Sequence, residues 1–296
     1  MSRFTRHRTS AVAALVLAGL AVPSAAGAQP LPPVESEPIP FDPQVVLSIC
    51  ANADFVGTNG PNVIIGTPGP DVIDARGGAD TVRGRGGKDV ICAGNGNDDV
   101  TGGGGDDTIF GSDGRDTLRG LRGDDEIQGG EGRDDVFGNR DDDKVYGGLG
   151  DDDVDGGLGD DWVYGGGGDE ADFGEDRLWG RAGMDKMYGG AGEDLMDAGP
   201  ASAASPFNYL YGQEGDDRLR GGPDIDLLYG NDGDDRMAGL EGDDQLRGGN
   251  NDDILRGGLD DDLLLGESGI DDLDGGPGVE TTCDPGTDAG DLAVNC

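Results

Sequence analysis

The chain has 296 residues, of which 62 are Asp or Glu and 21 are Lys or Arg, giving a formal net charge of −41. Repulsion on that scale excludes nucleic acid and anionic membrane as default partners and asks for cations instead. With 61 glycines and 5% aromatic residues such a chain would ordinarily stay disordered for want of apolar surface, so only periodic order can give it a fold.

Residues 1–28 have the form of a secretory signal peptide. Arg3, Arg6 and Arg8 make a basic start, Ala11 to Val22 an apolar stretch, and Ala26-Gly27-Ala28 an A-x-A cleavage site. The expected location of the mature chain is therefore extracellular, as a secreted protein. A dozen apolar residues is too short for a bilayer, which takes roughly 20, and no later segment is apolar enough, so membrane insertion is not expected. Residues 29–44, rich in proline and acids, form a leader expected to be flexible. Residues 45–56 are expected to make an N-terminal capping strand. Export also places Cys50, Cys92, Cys283 and Cys296 in an oxidising setting, where disulfides are favoured over thiols or zinc ligation. Three pairings are possible. Cys50 with Cys92 and Cys283 with Cys296 is the favoured one, because each bond then ties an irregular chain end to the nearest ordered segment.

From Gly57 to Cys283 a nine-residue unit repeats, as in Gly147-Gly148-Leu149-Gly150-Asp151-Asp152-Asp153-Val154-Asp155. Twelve units run in phase over 57–164, four units with two short insertions fill 165–211, and eight more run over 212–283. Of these 24 units, 21 have Asp at the sixth position, the exceptions being Asn62, Asn208 and Glu280. The eighth position is apolar in every unit but the last, which has Thr282. The insertions, near Gly168 to Phe173 and near Pro200 to Ser205, are expected to bulge as loops and divide the repeat region into three stacks. Residues 284–296, too short for a domain, are expected to close the last coil as a C-terminal disulfide cap.

Each unit has its own physical logic. The glycines allow the positive backbone angles of a tight turn, and the three residues after the Asp are extended, so the residue at position eight faces inward while positions seven and nine face out. Two units then make one coil of about 18 residues, and coils stack as two parallel sheets. The inward residues, among them Ile73, Val82, Ile91, Val100, Ile109 and Leu118, form one thin core. One aliphatic side chain per nine residues cannot offset the entropy of ordering those residues. Something else must hold each coil. Stacking puts Asp71, Asp89, Asp107, Asp125, Asp143 and Asp161 in one column and Asp80, Asp98, Asp116, Asp134 and Asp152 in another. Carboxylates about 5 Å apart repel unless a cation lies between them. Carboxylates and turn carbonyls suit Ca²⁺, which takes 6 to 8 oxygens, better than Mg²⁺ with its stricter octahedron.

The nonapeptide resembles the repeats-in-toxin (RTX, hemolysin-type) calcium-binding repeat. The resemblance covers about 227 of the 296 residues. It implies an all-β fold, a parallel β-roll of stacked repeats with Ca²⁺ between turns, in which the Asp at position six supplies the side-chain ligand. Carried over by position, the implied ligands are Asp71, Asp80, Asp89, Asp98, Asp107, Asp116, Asp125, Asp134, Asp143, Asp152 and Asp161, then Asp176, Asp185 and Asp194, then Asp217, Asp226, Asp235, Asp244, Asp253, Asp262 and Asp271. Pairing Asp residues two units apart within each block gives about 15 Ca²⁺ sites. Position four departs from glycine at Asp141, Asp224, Asn251 and Asp260. Asn and Asp tolerate left-handed geometry, so weaker sites are expected there rather than lost ones.

Other signals point away from catalysis. Asp-Asp doublets such as Asp106-Asp107 recur in most units, and none is singled out as a two-carboxylate hydrolytic site. The single histidine, His7, lies in the signal peptide, which removes the commonest general base from the mature chain. Phe110, Tyr146 and Tyr164 share position nine on one sheet, with Gln128 between them and Trp162 two residues from Tyr164. Cross-strand packing accounts for such a stripe; a contact surface for a cell-surface glycan or protein is the alternative. Arg83, Arg119, Arg220, Arg247 and Arg256 are expected to screen neighbouring acids. The expected function is that of a secreted, non-enzymatic β-roll that folds on binding several Ca²⁺ ions outside the cell. The alternative is a calcium-stiffened adhesin or matrix protein using the aromatic stripe.

Overall fold

Strands form wherever the repeat places positions seven to nine, with the apolar residue at the centre of each strand. In a computed structural model, residues 50–296 are described apart from 167–172, 201–206, 279–280 and 287–289. Of two compact units, Met1–Pro38 and Ile39–Cys296, the first therefore lies outside the described residues, as do the signal peptide, the leader and residues 45–49 of the expected cap. From Phe55–Val56 onward, strands alternate between two 13-stranded sheets, each strand pairing with the next but one in sequence. Every pairing is parallel, and the usual offset is one coil, as in Val82↔Val100 and Ile91↔Ile109. This is the expected parallel β-roll.

Neither insertion divides the stack, contrary to expectation. Val154 pairs with Leu178 and Val163 with Met187, across 24 residues each. Met187 pairs with Leu210 and Met196 with Leu219, across 23. The strands before and after each insertion remain hydrogen-bonded in register.

Position eight builds the core. Ile73, Val82, Ile91 and each successor through Leu273 are buried to 2% exposure or less. Up to Val163 this column is mostly β-branched; from Leu178 on it is Leu and Met alone. Ala75, Ala93 and Ala198 add buried methyl groups from position one, so that position accepts a Cβ in some coils.

Many strands run longer than three residues, as in Val90–Asn95 and Lys144–Leu149, because the turn backbone also pairs with the identical turn above. Positive φ falls at positions two and four rather than at all three glycines. Position two takes it even with side chains, at Arg76 (75°), Ser112 (87°) and Leu240 (95°), against a cost of about 1–2 kcal/mol each. At position four, Asp141, Asn251 and Asp260 adopt φ of 75–80°, as expected of them. Asp224, which follows Pro223, is not among the positive-φ residues, so its turn has a different shape.

Two disulfides tie the ends, Cys50–Cys92 and Cys283–Cys296, the favoured pairing. The C-terminal segment adds one strand to each sheet, Thr282–Asp284 and Leu292–Val294.

Where φ is far from the ordinary left-handed well and the turn above is close, only glycine fits. Gly132 has φ of 135°, and a Cβ there would fall on the Gly114 carbonyl oxygen. The nearest atom to a Cβ on Gly104 is 4.0 Å away. Thermal unfolding in calcium should therefore show Gly132→Ala destabilised by about 2 kcal/mol or more and Gly104→Ala within about 1 kcal/mol of the parent. Equal effects would mean that the turns do not stack this tightly.

Candidate metal centre

Stacking identical turns places each position-six aspartate directly over the last. The backbone N–H of Asp71 donates to Asp89 Oδ1 at 2.9 Å, Asp89 to Asp107 at 2.8 Å, and Asp125 to Asp143 at 2.8 Å. The other edge repeats this, with Asp80 donating to Asp98 at 2.7 Å and Asp116 to Asp134 at 2.8 Å. Both columns continue through the insertions: Asp152 donates to Asp176, Asp161 to Asp185 and Asp194 to Asp217, at 2.7, 3.0 and 2.8 Å. Those three pairs lie 23 or 24 residues apart, so a fixed offset of 18 overlooks them. The columns run on to Asp262 on one edge and, through Asp235 and Asp253, to Asp271 on the other.

One oxygen of each carboxylate is thus used, and the other is the chemically informative one. Oδ2 of Asp89, Asp107, Asp125, Asp143 and Asp161 on one edge, and of Asp98, Asp116 and Asp134 on the other, is buried with no hydrogen-bond partner among the described residues. A buried acceptor left in that state costs about 1–3 kcal/mol, more when charged. Backbone oxygens lie beside it. A methyl carbon placed on Gly138 would fall on both Asp143 Oδ2 and the Gly156 carbonyl oxygen, and one on Gly129 on both Asp134 Oδ2 and the Gly147 carbonyl oxygen. Among the described residues no three carboxylate, imidazole or thiol groups converge on one point. The available donor set is therefore stacked carboxylates completed by main-chain carbonyls, all hard oxygens, which fits Ca²⁺.

Burial dominates the electrostatics. It pushes Asp107, Asp116 and Asp125 up to about 7, and Asp143, Asp217 and Asp244 up to about 9; the backbone N–H bond pulls each back, and the aspartates one coil away push it further. Asparagine interrupts this. Asn208 accepts from the Asp185 N–H at 3.0 Å and donates its amide to Asp226 Oδ1 at 2.8 Å. Asp226 is pushed up to only about 6, burial being opposed chiefly by that amide. At the first coil the Asn62 amide likewise donates to Asp80 Oδ1 at 2.9 Å. Glu280 lies outside the described residues.

The doublets have a role that sequence reasoning missed. The first member hooks the coil above: Asp142 N–H donates to Asp124 Oδ1, and Asp160 N–H to Asp142 Oδ1. The position-six bonds point the other way along the stack, so each Asp-Asp pair ties its coil both upward and downward. Recurrence of the doublet at one-coil spacing was the available signal.

Phe110, Tyr146 and Tyr164 do share one column, but the stripe is not open. They are 3, 4 and 5% exposed; Trp162 is half-buried, with the Lys186 ammonium 4.2 Å from its ring. Among the arginines, Arg119 pairs with Asp99, Arg220 with Asp197, Arg247 with Glu267 and Arg256 with Asp272. Arg83 has no ion pair recorded among the described residues.

A family model described as the RTX calcium-binding nonapeptide repeat (4 copies) matches residues 56–91, 93–127, 110–145, 146–171, 170–200, 211–246 and 247–279. No curated protein matches the chain.

The raised carboxyl values set the pH behaviour of the metal-free chain. An Asp titrates near 3.9 when unfolded, whereas burial pushes Asp98 up to about 6 and Asp143 and Asp244 up to about 9. Folding therefore takes up protons, so the metal-free roll has these groups' full contribution below about pH 4 and loses it as pH rises through 6 to 9. In chelator, β-sheet circular dichroism should strengthen on acidification from pH 8 to pH 4. A β signal independent of pH in chelator would mean that the buried carboxylates do not control folding.

Proposed function

Because the chain belongs to the RTX calcium-binding nonapeptide repeat family, we propose that its position-six aspartates, Asp71 to Asp271, ligate Ca²⁺ between coils, and that a secreted chain folds on meeting extracellular calcium. The carrying observation is the pair of columns of buried carboxylates in which, among the described residues, Oδ2 of Asp89, Asp107, Asp125, Asp143 and Asp161 on one edge and of Asp98, Asp116 and Asp134 on the other meets no hydrogen-bond donor. Divalent ions between stacked carboxylates remove the repulsion and the desolvation penalty in one step. The pairs bridged across the insertions raise the number of candidate sites above the fifteen or so counted within blocks. At free calcium about one hundred times a site's dissociation constant, each site adds roughly 2.7 kcal/mol. Occupancy along the columns would then dominate stability. Both disulfides and the signal-like residues 1–28 support an exported chain.

This reading is non-enzymatic. Its supports are the repetition of every carboxylate environment along the stack and the single histidine, His7. An adhesin using Phe110, Tyr146, Trp162 and Tyr164 has less support, since three of those four rings are buried.

Far-ultraviolet circular dichroism of the chain, titrated with Ca²⁺ and separately with Mg²⁺ at neutral pH, is the test. A cooperative gain of β signal is expected with calcium and not with magnesium; full β signal in chelator, or equal response to both ions, would refute selective calcium folding. Asp125→Ala, with paired coils on both sides, should lower the cooperativity of the calcium transition more than Asp271→Ala at the column's end. Indistinguishable effects would show that the coils bind independently.

A further inference from the structure

The outer face of one sheet changes sign along the stack. Register places Arg177, Leu195, Arg218, Arg236 and Ile254 in one outward row, at position seven, and Trp179, Asp197, Arg220, Ala238 and Arg256 in another, at position nine. These ten positions hold five arginines against one aspartate. Earlier in the same sheet, from Thr81–Arg83 to Asp153–Leu158, the two rows hold Asp99, Asp135, Asp153 and Asp155 against Arg83 and Arg119. The fold thus gathers a basic strip on a chain of net charge −41.

The strip is available to a ligand. Arg177, Arg218, Arg220 and Arg236 are exposed, and among the described residues Arg218 and Arg236 have no ion pair. Arg220 meets Asp197 at 2.9 Å and Arg256 meets Asp272 at 2.7 Å, with the two arginine side chains 55 and 41% exposed. Exposed pairs of this kind are worth about 0–1 kcal/mol, so an incoming carboxylate can share or replace them. Along the strip runs a groove of about 820 Å³ whose lining includes Trp179, Arg181, Arg220, Ala238, Arg256 and Leu259. It is deep where side chains are small, at Ala238 in position nine and at Gly199, Gly222 and Gly258 in position two. At its lower end the Arg181 guanidinium lies 5.4 Å from the centre of the Trp179 ring.

We propose that this strip and its groove bind a single chain of an acidic polysaccharide, with sugar carboxylates on Arg218, Arg220, Arg236 and Arg256 and a sugar ring against Trp179. Guanidinium forks match carboxylates in bidentate geometry. The five strands span roughly 20 Å, and an extended chain of pyranose rings repeats at close to the strand spacing, so successive carboxylates meet successive coils. Width selects the occupant. The two outward rows stand two residues apart, roughly 7 Å, and exposed acids flank them on the turns, Asp216, Asp234 and Asp252 on one side and Asp243 and Asp261 on the other. A nucleic acid duplex or a flat anionic bilayer is wider than the strip and would press against those acids. One sugar chain lies between them.

Isothermal titration calorimetry of the whole chain in calcium with a galacturonate hexamer, too short to gel with the metal, tests this. Circular dichroism of the same samples separates loss of binding from loss of folding. Saturable binding that weakens as salt is raised is expected. Arg218→Glu with Arg236→Glu should weaken it at least about tenfold. Arg83→Glu with Arg119→Glu makes the same change of net charge on the same face but several coils away, beyond the screening length, and should leave binding within about threefold of the parent. Trp179→Leu should weaken it several-fold. No binding by the folded parent chain would overturn the proposal, as would equal loss in the two arginine pairs, which would reduce the effect to net charge. Polyglutamate or a DNA duplex bound as tightly as the hexamer would overturn the sugar as occupant, as would Trp179→Leu without effect. Should the charge reversals prevent folding in calcium, Arg218→Gln with Arg236→Gln gives the same reading with a smaller change of charge.

Discussion

Parallel stacking in register puts every residue on top of its own kind, and this like-on-like rule is the constraint from which the rest of the molecule follows. For apolar residues it is favourable, and the position-eight file becomes a continuous core. For tyrosine it gives a file of ring stacks at the strand spacing. For aspartate it is costly, since each buried carboxylate sits over another. The backbone N–H bonds between neighbouring aspartates ease that cost but use only one oxygen of each group. Calcium held between them, as proposed, would supply what remains. A fold whose geometry creates an electrostatic problem at successive coils, and whose proposed ligand would remove it there, would have its stability tied to metal along its length.

Most of this was legible in the sequence, because a period of nine fixes which residues face inward and which repeat at one-coil spacing. Ile73 to Leu273 lie where position eight predicts, and the Asp columns lie where position six predicts. Much of what escaped shares one cause: counting in steps of 18 stops at an insertion, whereas strand pairing continues across it. Hence Asp152 and Asp176 were assigned to separate blocks although they are stack neighbours, and Tyr188, Tyr211 and Tyr229 were not seen as continuations of Tyr146 and Tyr164. Position nine points the aromatics away from the core, but alternation gives direction and not cover, so the near-complete burial of Phe110, Tyr146 and Tyr164 does not follow from the period. Asp224 departed from expectation for a local reason, a proline before it in the turn.

Glycine usage shows the same division between local and stacked effects. Position two tolerates Arg, Ser and Leu at positive φ, a strain that each residue bears by itself. At Gly132 the obstacle is the next turn's carbonyl, which no local propensity describes.

Asn208 shows how the columns are tuned. It replaces one carboxylate by an amide that both accepts from Asp185 N–H and donates to Asp226 Oδ1, as the Asn62 amide donates to Asp80 Oδ1 in the first coil. The substitution lowers the local charge, and Asp226 is correspondingly less displaced than Asp244, one coil further on. It sits between the second insertion and the third block. A neutral junction there lets the column pass the interruption without depending on metal at that coil, while the carboxylate runs on either side, Asp71 to Asp185 and Asp226 to Asp262, keep their demand for cations. Coupling between calcium sites on that edge should accordingly be transmitted within each run by stacked carboxylates and between the runs only by backbone pairing.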